Sequence, residues 1–110
     1  MKIIDYHTAG GKNVITEYLD DLPDYEKAVG YRIRDKITEH GVTALKSLKL
    51  RQLRGKLWEI KFSDNRIMYV AQNNENIYFL HACKKQKNKA EKMDLEKAIK
   101  RAKEAGLKVD

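Results

Sequence analysis

Three strand-like segments follow one another between residues 57 and 83, separated only by short turns: LWEIKFS, RIMYVAQ and NIYFLHAC. Turns this short allow the pairing register to be read from sequence. Asp64 and Asn65 both tolerate positive φ and suit a two-residue hairpin turn. That turn sets Ser63 opposite Arg66, Lys61 opposite Met68 and Glu59 opposite Val70, all on one face. Trp58, Ile60, Phe62, Ile67, Tyr69 and Ala71 occupy the other, more apolar face, which is expected to pack on helices. The next turn, within residues 73–76, sets Gln72 opposite Ile77, His81 beside Met68 and Cys83 beside Arg66. Tyr78, Leu80 and Ala82 then join the core, while Glu59, Lys61, Arg66, His81 and Lys85 point the same way. A sheet that gathers cations on one face and apolar groups on the other is suited to an anionic partner.

The rest of the chain supplies helices. Lys2 to Tyr6 reads as a first strand before the break at Gly10-Gly11. Val14, Ile15, Tyr18, Leu19 and Leu22 make one helical stripe, which Pro23 ends. Asp24 is placed to cap a second helix to His40, with Tyr25, Ala28, Val29, Ile33 and Ile37 on one side and Gly41 as its stop. A further helical turn is expected near Thr43 to Leu48, then strands over 49–53, 57–63, 66–72 and 76–83. A last helix is expected from Asp94 to Ala105, with Leu95, Ala98, Ile99 and Ala102 inward. The order β-α-α-β-β-β-β-α predicts a single α+β domain over residues 1–110, its helices packed on one face of a mostly antiparallel sheet.

Composition narrows the class of function. The 110 residues carry a formal charge of +7, a balance that favours nucleic acid, anionic lipid or an acidic protein. The excess is concentrated from Lys84 to Asp110, where ten Lys or Arg face five acids; a solvated helix surface is the alternative reading of that run. No stretch approaches the roughly 18 apolar residues of a membrane span, and MKIIDYHTAGG lacks the apolar core of a signal peptide, so the cytoplasm is the expected location. The one cysteine, Cys83, fits a reducing compartment and excludes a cysteine-cluster zinc site. No His or His/Glu pair has metal-ligand spacing, and no glycine-rich phosphate loop is present. Two readings stay open for the cationic face. Lys61 and Arg66 are either a site or ordinary surface charges with Glu59 as cross-strand partner, and His81 is either functional or a hydrogen-bonded packing residue.

The segments LRGKLWEIKFSDNRIMYV and FLHACKKQKNKAEKMDLEKAIKRAKE carry a resemblance. They are similar to toxins of the RelE/ParE superfamily, nearest to the HigB-like branch that includes phage-derived proteins. In that pattern a basic residue and a glycine precede a Leu-aromatic-Glu-hydrophobic-basic strand. An arginine-led strand, a Leu-His segment with lysines and an amphipathic helix follow. Gly55, Trp58, Glu59, Lys61, Arg66, Tyr69, Leu80, His81, Lys85 and Lys89 fall on matching positions, and Asp94-Leu95 matches the start of the last helix. The chain departs from it at Cys83, Gln86 and Ala90-Glu91, where Phe, Lys and Thr-Pro are usual.

The resemblance implies a RelE-like fold and a ribosome-dependent endoribonuclease. Such an enzyme cuts mRNA by attack of a ribose 2′-OH on the adjacent phosphate, without metal or cofactor. The reaction needs a proton acceptor, charge stabilisation at phosphorus and a proton donor for the leaving oxygen. In this chain Arg66 is the candidate grip on the scissile phosphate, since guanidinium matches phosphate in bidentate geometry. Lys85 is the candidate for charge stabilisation or proton donation, Lys61 for the base, Glu59 for an alternative base and His81 for either proton role. Arg54, Lys56, Lys84, Lys87 and Lys89 are expected on the RNA backbone. The implied partners are the ribosome, mRNA and a helix-turn-helix antitoxin of the HigA kind. A ParE-like inhibitor of DNA gyrase and a non-catalytic nucleic-acid-binding module are the competing readings.

Overall fold

A computed structural model describes residues 1–110. Its elements are β1 (Lys2–Asp5), α1 (Val14–Asp20), α2 (Asp24–His40), α3 (Val42–Lys46), β2 (Lys49–Arg54), β3 (Leu57–Phe62), β4 (Asn65–Ala71), β5 (Asn76–Lys84) and α4 (Asn88–Glu104). One five-stranded sheet has the order β1-β5-β4-β3-β2. β1 runs parallel to β5 and every other pairing is antiparallel. The α+β class and the element order are those the sequence predicts, with α3 as the short extra turn.

Local chemistry explains the helix ends. The Asn13 side chain caps α1 by accepting from the amides of Ile15 and Thr16 at 3.0 and 3.1 Å. Pro23, not Asp24, holds the N-cap position of α2, and Asp24 is its first residue. Gly41, at φ 59°, ends α2 and donates its amide to the Ile37 carbonyl at 2.8 Å. Gly30 lets α2 lie close to α1 and the sheet, because a Cβ there would come within 2.7 Å of Leu19 Cδ2 and 3.3 Å of Phe62 Cζ.

The sheet has a core on each face. Ile15, Leu19, Ile33 and Ile37 of α1 and α2 pack with Ile60, Phe62, Ile67, Ile77 and Phe79. On the opposite face Ala98 and Ala102 of α4 pack with Leu57, Met68, Val70 and Leu80, joined by Leu107 and Val109 of the tail. The helices are therefore not confined to one face: α1 to α3 cover one, and α4 crosses the other. The face that carries Glu59, Lys61 and Arg66 is the one beneath α4. No helix is long and apolar enough to cross a membrane.

Two registers differ from expectation. The hairpin between β3 and β4 turns at Ser63-Asp64, with Ser63 at φ 51°, so Lys61 pairs with Arg66 and Glu59 with Met68. This is a shift of two residues, and an even shift keeps every side chain on its expected face. In β5 the expected partners Arg66/Cys83 and Met68/His81 hold, but the register changes between Met68 and Tyr69, so Tyr69 pairs with Phe79 and Ala71, not Gln72, with Ile77. Leu80 is the extra residue of this bulge. Tyr78 and Leu80 consequently face α4, while Ile77 and Phe79 fill the first core in their place. Arg101 of α4 donates to the Leu80 carbonyl at 3.0 Å and so holds the bulge.

Candidate nucleic-acid interface

Strand pairing builds the site as two rungs across the sheet. Lys49, Lys61, Arg66 and Cys83 lie side by side on β2, β3, β4 and β5. The next rung is Arg51, Glu59, Met68 and His81. Neighbouring strands are about 4.8 Å apart, so three like charges in one rung repel unless an anion is close. Beside the first rung, Lys85 follows β5 and donates its amide to the Asp64 carbonyl at 2.7 Å. A cleft of about 210 Å3 is lined by Lys49, Lys61, Arg66 and Lys85, together with Ser63 and Asp64 of the turn. The structure thus brings Lys61, Arg66 and Lys85 together as expected, and it adds Lys49.

Glu59 is the anion under this rung. It is fully buried. Its carboxylate lies 3.1 Å from Arg51 Nε, 3.8 Å from Lys61 Nζ and 3.6 Å from Arg66 Nε. Arg51 Nη2 donates to its Oε1 at 3.4 Å. The Arg51 Nε, Arg66 Nε and Glu59 Oε2 atoms are buried without a hydrogen bond, so much of the attraction is coulombic. A buried charge of this kind is tolerated only where opposite charge surrounds it.

Glu91 closes the arrangement from above. It stands in the first turn of α4, which begins at Asn88, six residues before the expected start. Its Oε1 accepts from Arg51 Nη2 at 2.7 Å and from Arg66 Nη1 at 2.9 Å. These hydrogen bonds, Arg51 first and then Arg66, hold the Glu91 carboxyl below the usual carboxylate range despite an opposing push from burial. Arg66 is only 4% exposed. The face expected to be open is therefore closed at Arg66, while the side chains of Lys61 and Lys85 reach solvent.

His81 is held by α4. Arg101 Nη1 lies 3.1 Å from His81 Nδ1, and Asp94 Oδ1 lies 2.8 Å from Nε2. Arginine can only donate, so Nδ1 accepts and Nε2–H donates to Asp94. Burial pushes the His81 pKa below its ordinary value against the raising pull of Asp94. His81, Cys83 and Asp94 bring ligand-type atoms within 4.8 Å of one another. The proton on Nε2 and the neighbouring guanidinium make this a hydrogen-bonded cluster, not a ligand set. Burial also raises the Cys83 thiol to about 12, which keeps it protonated at neutral pH.

The remaining basic residues are scattered. Arg54 and Lys56 flank the turn between β2 and β3, at the other end of β3 from Lys61. Lys84 turns to the α2 side and meets Glu26 at 3.4 Å. Lys87 and Lys89 are exposed at the start of α4. Sequence reasoning missed Lys49, Arg51 and Glu91. The first two were within reach of it, because alternation in KLRQLR puts both on the Glu59 face once the ladder is extended by one strand.

A family model described as phage derived protein Gp49-like (DUF891) matches residues 17–103. The match runs from within α1 to the penultimate residue of α4 and includes four of the five strands. No curated protein is similar enough to count as a match. The chain belongs to the Gp49-like phage-derived proteins, a RelE-like toxin family.

Proposed function

We propose that this chain is the toxin of a type II toxin-antitoxin pair, HigB-like in kind, and that it cleaves mRNA on the ribosome. One observation carries the reading: Lys49, Lys61, Arg66 and Lys85 converge on a single cleft with only Asp64 as an acidic neighbour in its wall. Membership of a RelE-like toxin family supports it. The cleft offers charge for a phosphate backbone, and sequence-independent phosphate contact is what such a surface does best.

The chemistry is a transesterification. The ribose 2′-oxygen bonds to phosphorus, the bond from phosphorus to the 5′-oxygen breaks, and a 2′,3′-cyclic phosphate and a 5′-OH result. One proton leaves the 2′-OH and one reaches the 5′-oxygen, so no oxidant, reductant or water is consumed. Lys61 and Glu59, 3.8 Å apart, are the candidate acceptors, and Lys61 is the one that reaches solvent. Lys85 lines the same cleft and donates to the leaving oxygen, while Arg66 steadies the charge at phosphorus. His81, tied to Asp94 and Arg101, takes no proton role in this scheme. A toxin of this kind acts in the cytoplasm and requires a restraining antitoxin, here taken to be a helix-turn-helix protein of the HigA kind.

A non-catalytic phosphate-binding module is the second reading. It is favoured by the burial of Arg66 between two carboxylates. Primer extension on mRNA translated in a purified bacterial system separates the two. Discrete cuts that need ribosomes, reduced about 100-fold or more by Lys85→Ala, are expected of the nuclease. Ribosome binding with intact message would establish the module instead, and intact message with inhibited supercoiling would point to gyrase.

A further inference from the structure

Glu91 sits where a ligand of the arginines would sit. Arg51 Nη2 and Arg66 Nη1 both donate to one oxygen of its carboxylate, at 2.7 and 2.9 Å. Arg66 is nine-tenths buried and its Nε has no hydrogen-bond acceptor. Two guanidinium groups that share a single oxygen are under-used, since each can grip two oxygens at once. A phosphodiester has two non-bridging oxygens and carries one negative charge, as the carboxylate does. Exchanging one for the other leaves the charge of the cluster unchanged.

The segment bearing Glu91 is weakly held. From Lys84 to Met93 the only side chain that is not exposed is that of Glu91. The N-cap residue of α4, Lys87, makes no side-chain capping bond, and Asn88 has φ 58°, an uncommon value outside glycine. Firm anchoring starts at Asp94 and Leu95, through the bond to His81 and the second core. Arg51 and Glu91 line a groove of about 480 Å3 beside β2, and Arg66 lines the cationic cleft. The Glu91 carboxylate accepts from one arginine of each.

We propose that Arg51 and Arg66 form a two-guanidinium clamp for an RNA phosphodiester, occupied in the free protein by Glu91 as an internal competitor. Binding of RNA displaces Glu91, the turn from Asn88 to Met93 lifts, and groove and cleft join into one channel across β2, β3 and β4. The helix from Asp94 onward stays in place. This inference rests on the RNA-binding reading of the cleft. It adds Arg51 to the phosphate contacts and gives Glu91 a role that opposes binding.

The test uses a fluorescent 2′-O-methyl oligoribonucleotide, which has no 2′-OH and is not cut, with affinity read by anisotropy. Glu91→Gln is expected to bind at least about tenfold more tightly than wild type. Glu96→Gln removes the same charge from an exposed position of the same helix and is expected to tighten binding by less than about threefold. Arg51→Ala in the Glu91→Gln background is expected to reverse the gain. In the wild-type protein, amide exchange at Lys92 to Lys97, whose helical acceptors are the carbonyls of Asn88 to Met93, is expected to quicken when the oligonucleotide binds, while that of the α4 amides from Ala98 onward stays slow. Equal effects of Glu91→Gln and Glu96→Gln, or unchanged exchange at Lys92 to Lys97, would overturn the inference and leave the cleft reading standing if Lys85→Ala still weakens binding. No binding by any variant would overturn both.

Discussion

Removing the charge of Glu59 tests how the site is held. Glu59→Gln keeps the size of the side chain but leaves three cations facing a neutral amide. The cost depends on which cations can find water. Arg51 and Lys61 have side chains 41% and 36% exposed and can rehydrate, so their loss is small after screening. Arg66 is 4% exposed and cannot, although it keeps Glu91 at 2.9 Å. One buried cation deprived of one of its two anions is expected to lower stability by about 2–4 kcal/mol, near the lower part of the range for broken buried pairs. In a domain of this size that is a fall in melting temperature on the order of 10 °C. Urea denaturation followed by tryptophan fluorescence of Trp58, checked by calorimetry, measures it. A loss below about 1 kcal/mol would show that the buried carboxylate is not what makes the burial of Arg66 tolerable, and the electrostatic account of the site would fail.

Other expectations follow from the same geometry. His81 has its folded pKa depressed by burial, so its stabilising contribution is present above the ordinary histidine value of about 6.5 and is lost as pH falls through the lower folded value. Denaturation midpoints of wild type and His81→Gln should therefore converge in part as the pH is lowered from 7 to 5, and parallel curves would speak against it. Lys49→Ala and Lys85→Ala should each reduce the salt dependence of RNA binding by about one ion while changing stability by less than about 0.5 kcal/mol. Arg54→Ala, at the far end of β3, should do less to binding than either, and an equal effect would move the interface. Gly30→Ala introduces a methyl within 2.7 Å of fully buried Leu19 and should cost about 1–3 kcal/mol, measured by thermal unfolding.

Much of this architecture was legible in the sequence, for physical reasons that can be traced. The face assignment of Glu59, Lys61 and Arg66 survived a misplaced turn because the register moved by two residues, and side chains alternate with period two. The bulge at Leu80 had no such protection. It adds a single residue, and so it exchanged Tyr78 and Leu80 for Ile77 and Phe79 in the first core. Nothing in NIYFLHAC marks it, since its support is the Arg101 guanidinium, 21 residues on in α4. The start of α4 was hidden because Lys87 is not a capping residue, and with it the turn that carries Glu91. The cover over the cationic face was partly visible. Leu57, Met68 and Val70 share that face and need apolar contact, which the inward stripe of Leu95, Ala98, Ile99 and Ala102 supplies. Charge pattern alone read the face as open, and the neutralisation of Arg51 and Arg66 by carboxylates brought together from β3 and α4 is a tertiary fact.

The most direct test of the proposed chemistry is the nature of the ends left on a cut message. Messenger RNA from ribosomes stalled in the presence of the protein can be probed for 2′,3′-cyclic phosphate on the upstream fragment and 5′-OH on the downstream one. The account predicts both ends at cuts within codons, and their loss with Lys61→Ala and Lys85→Ala. Fragments carrying a 5′-phosphate, or a message left whole while growth is arrested, would contradict it.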